Sequence, residues 1–136
     1  MSFMVWNDRV SVGIEVIDAD HKKMLGMINE LYDAILAGKG RSKLNSLFER
    51  LLDYTRYHFA HEEEMFARTG YPGAAMHKQQ HEEMKKWLET AQRDYRNNFS
   101  SAPSLEVMIY LKDWLFDHIL GSDQRYAPHM KAHQIR

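Results

Sequence analysis

Residues 77–95, HKQQHEEMKKWLETAQRDY, decide the fold of this chain. Their apolar and histidine positions alternate between spacings of four and three residues: His77, His81, Met84, Leu88, Ala91 and Tyr95. This spacing is typical of a helix that buries one stripe, and it is close to the heptad seam of helices packed side by side. The stretch therefore predicts an amphipathic helix whose buried stripe begins with two histidines one turn apart.

Three more segments carry helical periodicity, and turn signals such as Gly70-Tyr71-Pro72-Gly73 separate them. The predicted elements are an extended arm over residues 1–17, helices over about Asp18–Ala37, Ser42–Thr69, His77–Tyr95 and Ser104–Pro128, and a loop over Asn97–Pro103. Gly38 and Gly40 end the first helix, and Pro128 limits the fourth. Helices of about 20 residues with short connections predict an all-α, antiparallel up-down four-helix bundle, with residues 1–136 as a single domain.

Composition narrows the classes of function. The 136 residues are 44% hydrophobic, which is enough for one core, and the formal net charge of -1 favours neither nucleic acid nor an anionic membrane as a partner. The absence of cysteine excludes disulfides, thiolate zinc sites and cysteine-bound iron–sulfur clusters, and it suits a reducing cytosol. There is no signal-peptide pattern and no apolar run of the ~18 residues of a membrane span. We expect a cytoplasmic monomer.

Five histidines and two carboxylates recur along the four helical segments: His21, His58, Glu62, His77, His81, His118 and Asp123. His58 and Glu62, like His77 and His81, are four residues apart and so share one face of a helix. One histidine on an apolar stripe is most often an ordinary core residue. Seven such groups facing one core would be costly to bury without a common partner, and a metal ion supplies that partner.

The number of candidate ligands indicates two ions. Seven are too many for one tetrahedral zinc, whereas imidazoles with bridging carboxylates suit an iron or manganese pair. Five histidines, two bridging carboxylates and a shared oxygen bridge would fill about eleven coordination positions, six on one ion and five on the other. One position then stays vacant, which predicts a site for a small ligand.

With these residues the chain resembles the hemerythrin family, and specifically the bacterial hemerythrins. The matching motifs are Ile17-Asp18-Ala19-Asp20-His21-Lys22, His58-Phe59-Ala60-His61-Glu62-Glu63, Tyr71-Pro72 followed by His77-x3-His81, and Trp114-Leu115-x2-His118-x4-Asp123. They extend over nearly the whole chain, from Trp6 to about Tyr126, and all seven family ligands are present. The resemblance implies a non-haem di-iron centre, with an oxo or hydroxo bridge, that binds dioxygen reversibly for storage, transport or delivery.

The resemblance also implies a division of the ligands. His77, His81 and His118 would hold a saturated iron, and His21 and His58 would hold the iron with the vacant position. Glu62 and Asp123 would bridge the two. Four apolar residues near the ligands are expected to keep water from dioxygen, although each could be plain core packing: Met24, Phe59, Leu115 and Ile119. Trp114 fits packing equally well.

The last two candidate ligands predict an irregular helix. His118 and Asp123 are five residues apart, which places their side chains about 140° from each other on a regular α-helix. A local widening or an early end near Gly121 would bring both to one metal pair.

Other polar residues near the motifs have less certain roles. Asp18 fits a helix N-cap, and either Asp18 or Asp20 could instead accept the free N–H of a ligand imidazole. His61 lies about 300° round the helix from His58, so we expect it outside the ligand set. We expect His129 and His133 on a solvated tail.

Three other functions stay open. A dioxygen or redox sensor needs an output domain, for which this chain has no room, although a separate partner protein could supply the output. As a carrier, the chain could instead have a dioxygen-consuming protein as its partner. The second open function is a di-iron enzyme that handles peroxide or nitric oxide. Oxidases built on helical bundles carry more carboxylates than this chain, in Glu-x-x-His pairs, so we do not expect an enzyme. The third is a helical bundle without metal, which an iron assay would reveal.

Overall fold

The structure is a computed structural model that describes residues 3–39, 41–97 and 105–136. None of these residues forms a β-strand. The elements are a 3-10 turn over Asp8–Val10, α1 over Glu15–Leu36, α2 over Arg41–Thr69, α3 over Ala74–Asn97, α4 over Leu105–His118, a π-helical segment over Ile119–Asp123 and α5 over Gln124–Ala132. The π-helical segment joins α4 to α5 without a break, so the predicted four-helix bundle is confirmed.

The inner stripe of α2 is buried along its whole predicted length. The spacing of residues in this segment predicts an inner stripe of eleven positions, and the structure buries all of them: Leu44, Leu47, Phe48, Leu51, Leu52, Thr55, His58, Phe59, Glu62, Met65 and Phe66. Because the stripe continues without interruption from leucine to histidine and glutamate, the periodicity that builds the core also aims the polar groups into it.

Glycines end α1 and α2, as predicted for Gly38 and for the turn at Gly70, whereas Gly40 lies outside the described residues. Gly38 has a φ of 68° and Gly70 a φ of 65°, the left-handed conformation of a helix C-cap. After α1, the N–H groups of Gly38 and Lys39 donate to the carbonyls of Ile35 and Ala34, which is the Schellman pattern.

The N-terminal arm lies on the bundle as expected, although it contains the 3-10 turn and α1 begins at Glu15. Met4, Val10, Val12 and Ile14 are buried. Asp18 accepts hydrogen bonds from Ser11 Oγ (2.5 Å) and the backbone N–H of Val12 (2.9 Å). Asp18 therefore ties the arm to α1, and it is neither the N-cap nor the partner of an imidazole.

The prediction that Pro128 ends the fourth helix is wrong, because α5 continues through it to Ala132. Proline removes one backbone hydrogen bond. Burial of its neighbours Tyr126, Ala127 and Met130 holds the helix in place.

The predicted loop over Asn97–Pro103 lies outside the described residues except for Asn97, which ends α3. The predicted helix start at Ser104 also lies outside them. Within the described ranges, no helix is both long enough and apolar enough to cross a bilayer.

Candidate metal centre

The structure brings together all seven predicted side chains, here called the cluster. Ligand atoms of Glu62, His77, His81 and His118 lie within 4.8 Å of one another, and so do those of His21, His58, Glu62 and Asp123. All seven residues are buried. The two sets share Glu62, so the cluster consists of two adjoining sites rather than one.

The π-helical segment places Asp123 in the cluster. It widens the helix between His118 and Asp123, so the two residues face the same interior although they are five residues apart. Asp123 Oδ1 lies 3.1 Å from Nε2 of His118, and Asp123 Oδ2 lies 3.1 Å from Nε2 of His21. The widening predicted near Gly121 is therefore confirmed, and the carboxylate reaches both histidine groups.

Each of the five imidazoles directs Nε2 toward a carboxylate oxygen of the cluster. The distances are 3.1 Å from His21 to Asp123, 3.1 Å from His77 and from His118 to Asp123, 3.2 Å from His81 to Glu62, and 3.3 Å from His58 to Glu62. Two donor atoms at right angles on one ion, each ~2.1 Å from it, lie about 3.0 Å apart. The separations therefore suit atoms that share ions.

Many cluster atoms are buried without a hydrogen bond of acceptable geometry: both ring nitrogens of His21, Nε2 of His81, and the carboxylate oxygens of Glu62 and Asp123. Such atoms are rare in folded proteins, since each costs about 1–3 kcal/mol. Nε2 of His77 also lies 3.1 Å from Nε2 of His118, where a hydrogen bond needs a proton on one of them. Cations between these atoms would satisfy the whole set, so the residues present fit a metal centre.

Two carboxylates that lie outside the cluster hold imidazoles of the cluster in place. Asp20 Oδ2 lies 3.0 Å from Nδ1 of His58, and Glu63 Oε2 lies 2.9 Å from Nδ1 of His81. A carboxylate in this position fixes the tautomer and orientation of a metal-binding imidazole. Asp20 thus takes the imidazole-holding role that was considered for either Asp18 or Asp20, whereas Glu63 was missed because it is one of three consecutive glutamates.

Asp20 also has two partners outside the cluster. His61 Nδ1 lies 2.9 Å from its Oδ2, and the Tyr54 hydroxyl donates to its Oδ1 at 2.9 Å. The His61 side chain is 28% exposed and belongs to neither ligand set, as predicted. Asp20 therefore links the buried imidazole of His58 to the edge of the bundle.

The charges of the cluster stabilise one another. Burial lowers the pKa of His58, but Glu62 and the hydrogen bond to Asp20 outweigh it and raise the pKa to about 10. Burial opposes ionisation of Asp20, yet its three hydrogen-bond donors lower the pKa to about 2. Likewise, despite their burial, the histidines around them lower the pKa of Glu62 and Asp123. Because imidazoles bind metals without their proton, metal uptake must displace protons held here.

Aromatic rings cover three of the cluster imidazoles. Phe59 stacks on His81 at a centroid distance of 3.9 Å, and Trp114 stacks on His118 at 4.5 Å. Phe66 packs edge-on against His77 at 4.9 Å. Trp114 is thus a packing residue, and the ring that it packs against is that of a cluster histidine, His118.

Sequence reasoning missed Tyr126, which is fully buried beside the cluster. Its ring lies 5.6 Å from that of His77, and its hydroxyl has no hydrogen bond of acceptable geometry. Burial and the charges of Glu62 and Asp123 raise its pKa well above the ordinary value. The only sign of this burial in the sequence is that Tyr126 comes three residues after Asp123. That spacing places Tyr126 beside the cluster only when the widened turn before Asp123 is already known.

Two cavities of different chemistry lie inside or beside the bundle. An apolar one of about 20 Å³ is lined by Met24 and Leu115 but by no cluster residue, and Phe59 and Ile119 are buried without lining it, so their role as a pocket wall stays a prediction. The other, of about 90 Å³, is lined by His77 together with polar side chains: Tyr71, Gln80, Ser122 and Arg125. Gln80 and Ser122 join across it through a hydrogen bond of 2.6 Å.

The expectation of a solvated tail for His129 and His133 is only half right. His133 is exposed, but His129 lies on α5 and its Nε2 is 3.0 Å from the carbonyl of Thr69. His129 therefore pairs with a carbonyl at the end of α2, and neither residue belongs to a ligand set.

Comparisons with known proteins agree with this geometry. Residues 12–130 match the model of the hemerythrin HHE cation binding domain. The chain is 38% identical over 135 residues to a bacteriohemerythrin of Stenotrophomonas maltophilia, covering 98% of this chain and 85% of that protein. It is 37% identical over 129 residues to a bacteriohemerythrin of Pseudomonas aeruginosa, covering 93% and 81%.

The solved structures give the same result. The crystal structure of a wild-type hemerythrin matches with a TM-score of 0.88 at 26% identity, over 95% of this chain and 98% of that one. The family match includes every element that carries a cluster residue, and the chain therefore belongs to the hemerythrin family.

Proposed function

We propose that the cluster holds two iron ions joined by an oxo or hydroxo bridge, and that the protein binds dioxygen reversibly there for storage, transport or delivery. The observation that carries this proposal is the pair of buried ligand sets that share Glu62. Residues 1–136 would act as one hemerythrin-like domain.

The division of ligands follows the two sets. His77, His81 and His118 would hold one iron, and His21 and His58 the other. Glu62 belongs to both sets, and Asp123 Oδ1 lies 3.1 Å from both His77 and His118 while Oδ2 faces His21. These contacts support bridging by both carboxylates. The side with two histidines has fewer protein ligands, so it is the side with room for a small ligand.

Bound as a ferrous pair, the iron would supply two electrons to dioxygen. The protein keeps the surroundings dry, since Met24, Phe59, Leu115 and Ile119 are all buried. Asp20 and Glu63 hold the imidazoles of His58 and His81 through Nδ1, so that Nε2 faces the centre. Two ferrous ions with two carboxylates and one hydroxide leave a net charge of about +1, which a buried site can accommodate.

The test combines iron content with optical spectra of the reduced protein in argon, in air, and in argon again. We expect two irons per chain and an absorption change that argon reverses. His58→Ala should lose iron, whereas His61→Ala, its control on the same helix, should keep both ions. A spectrum unchanged by air would refute dioxygen binding, and continuous consumption of dioxygen with a reductant would indicate an enzyme instead.

A further inference from the structure

A groove on the outside of the bundle lies between the N-terminal arm and α4. Its volume is about 520 Å³, within the range of roughly 300–1,000 Å³ that small-molecule sites occupy. Most of its lining is apolar, and two of these side chains are open to solvent: Val5 is 57% exposed and Leu120 43%. The groove therefore offers apolar surface that nothing in the described chain covers.

Two cations line the same groove, Arg9 and Lys112, and no acidic residue does. Lys112 Nζ lies 5.1 Å from the centre of the Phe3 ring. Among the described residues, the arginines and lysines that form salt bridges are Arg50, Arg56 and Lys85. The groove is thus locally positive in a chain whose net charge is -1, and no carboxylate of the described residues forms a salt bridge with Arg9 or Lys112.

The wall formed by the arm is held in place. Both backbone polar groups of Met4 bond to the side-chain amide of Asn29, at 2.7 and 2.9 Å. The Phe3 ring stacks on Tyr32 at 4.0 Å, and the Gln124 amide donates to the carbonyl of Ser11 at 2.8 Å. A preformed wall lowers the entropy cost of binding a ligand.

We propose that this groove binds a free aliphatic monocarboxylate, with the carboxylate near Arg9 and Lys112 and the chain along Phe116 and Leu120. An anionic group complements the two positive charges, and a hydrocarbon chain complements the exposed apolar surface. A small molecule suits the groove, because the volume of about 520 Å³ lies within the range of small-molecule sites. The proposal does not depend on which metal the cluster holds.

Titration calorimetry of the iron-loaded protein tests this with decanoate, and with decyltrimethylammonium as the ligand of opposite charge. We expect saturable binding of decanoate to one site. The double variant Arg9→Gln/Lys112→Gln should weaken binding at least tenfold, and Val5→Asp should abolish it. Lys23→Gln/Arg50→Gln is the matched control, because these cations line another surface pocket that already contains Asp53; it should leave binding unchanged.

Equal affinity for the two amphiphiles would overturn the proposal, since it would show hydrophobic adsorption without charge recognition. So would equal weakening in the control and groove variants, or no binding of decanoate. Binding to vesicles of phosphatidylglycerol in the absence of decanoate binding would also overturn it, and would assign the groove to a membrane surface.

Discussion

The two sides of the cluster differ in their aromatic packing. On the side with three histidines, Phe59, Phe66 and Trp114 each pack against one imidazole, and Glu63 also holds His81 through a hydrogen bond. On the side with two histidines, His58 is held through its hydrogen bond to Asp20, and neither ring nitrogen of His21 has a hydrogen bond. Stacked rings fix an imidazole over a large area and exclude water, whereas a hydrogen bond fixes one atom. This difference agrees with the proposed function, in which the ion on the second side would exchange the small ligand.

The largest expected effect is the loss of metal from the side covered by aromatic rings. Replacing His77 with alanine removes a ligand that no other helix can supply, so we expect the protein to lose most of its iron. Iron content per chain measures this, with His61→Ala as the control because His61 lies outside both ligand sets. A His77→Ala protein that retains two irons would contradict the assignment of His77.

Removal of iron should lower the melting temperature, because a ligand at a thousand times its dissociation constant stabilises the native state by about 4 kcal/mol. Calorimetry of the iron-free and iron-loaded proteins measures the shift. Hydrogen exchange sharpens the comparison: iron removal should accelerate exchange around His21 more than around His81, whose ring Phe59 still covers. Identical melting curves would exclude a buried metal site.

Leu115→Ala should cost roughly 2–4 kcal/mol in unfolding free energy and speed autoxidation, because the enlarged cavity admits water. Leu47→Ala is the matched control, since Leu47 is buried to a similar degree but does not line this cavity. It should destabilise the protein similarly and leave autoxidation unchanged. The decay of the oxygenated absorption measures the rates, and equal decay in wild type and Leu115→Ala would leave Leu115 a packing residue only.

The smallest effects concern the outer carboxylates. Loss of such a partner typically weakens metal binding about 10- to 100-fold. We expect Asp20→Asn to reach the upper part of that range and Glu63→Gln the lower part, because Phe59 still orients His81. Competition with a chelator measures the affinities. Equal losses in the two variants would mean that stacking contributes nothing to holding the imidazole.

Features that depend on helical phase were predictable from the sequence. The spacing along α2 predicts its buried stripe, and the angle between His118 and Asp123 predicts the widened turn. The spacing of apolar residues does not show, however, where along a helix the contact with neighbouring helices ends. The spacing of apolar residues along α1 predicts that Leu36 faces inward, yet Leu36 is 61% exposed because it lies at the end of the helix.

Features that depend on contacts between helices were not predictable. Asp18 and Asp20 precede His21 in the same motif, yet one binds the arm and the other binds His58 on α2. The stacking of Trp114 on His118 and the burial of Tyr126 also require the three-dimensional arrangement. The ring of Pro128 is tolerated because residues on either side of it are buried.

The π-helical segment has a consequence for how related sequences align. Such a segment amounts to one residue inserted into an α-helix, and the helix beyond it keeps the direction that it would have without the extra residue. Deletion of one residue between His118 and Asp123 would therefore leave Tyr126 and Met130 pointing inward and would remove only the local bulge. A relative shorter by one residue in this stretch should still bury the same face of its last helix. A gap placed anywhere else in the last helix would rotate everything after it by about 100°.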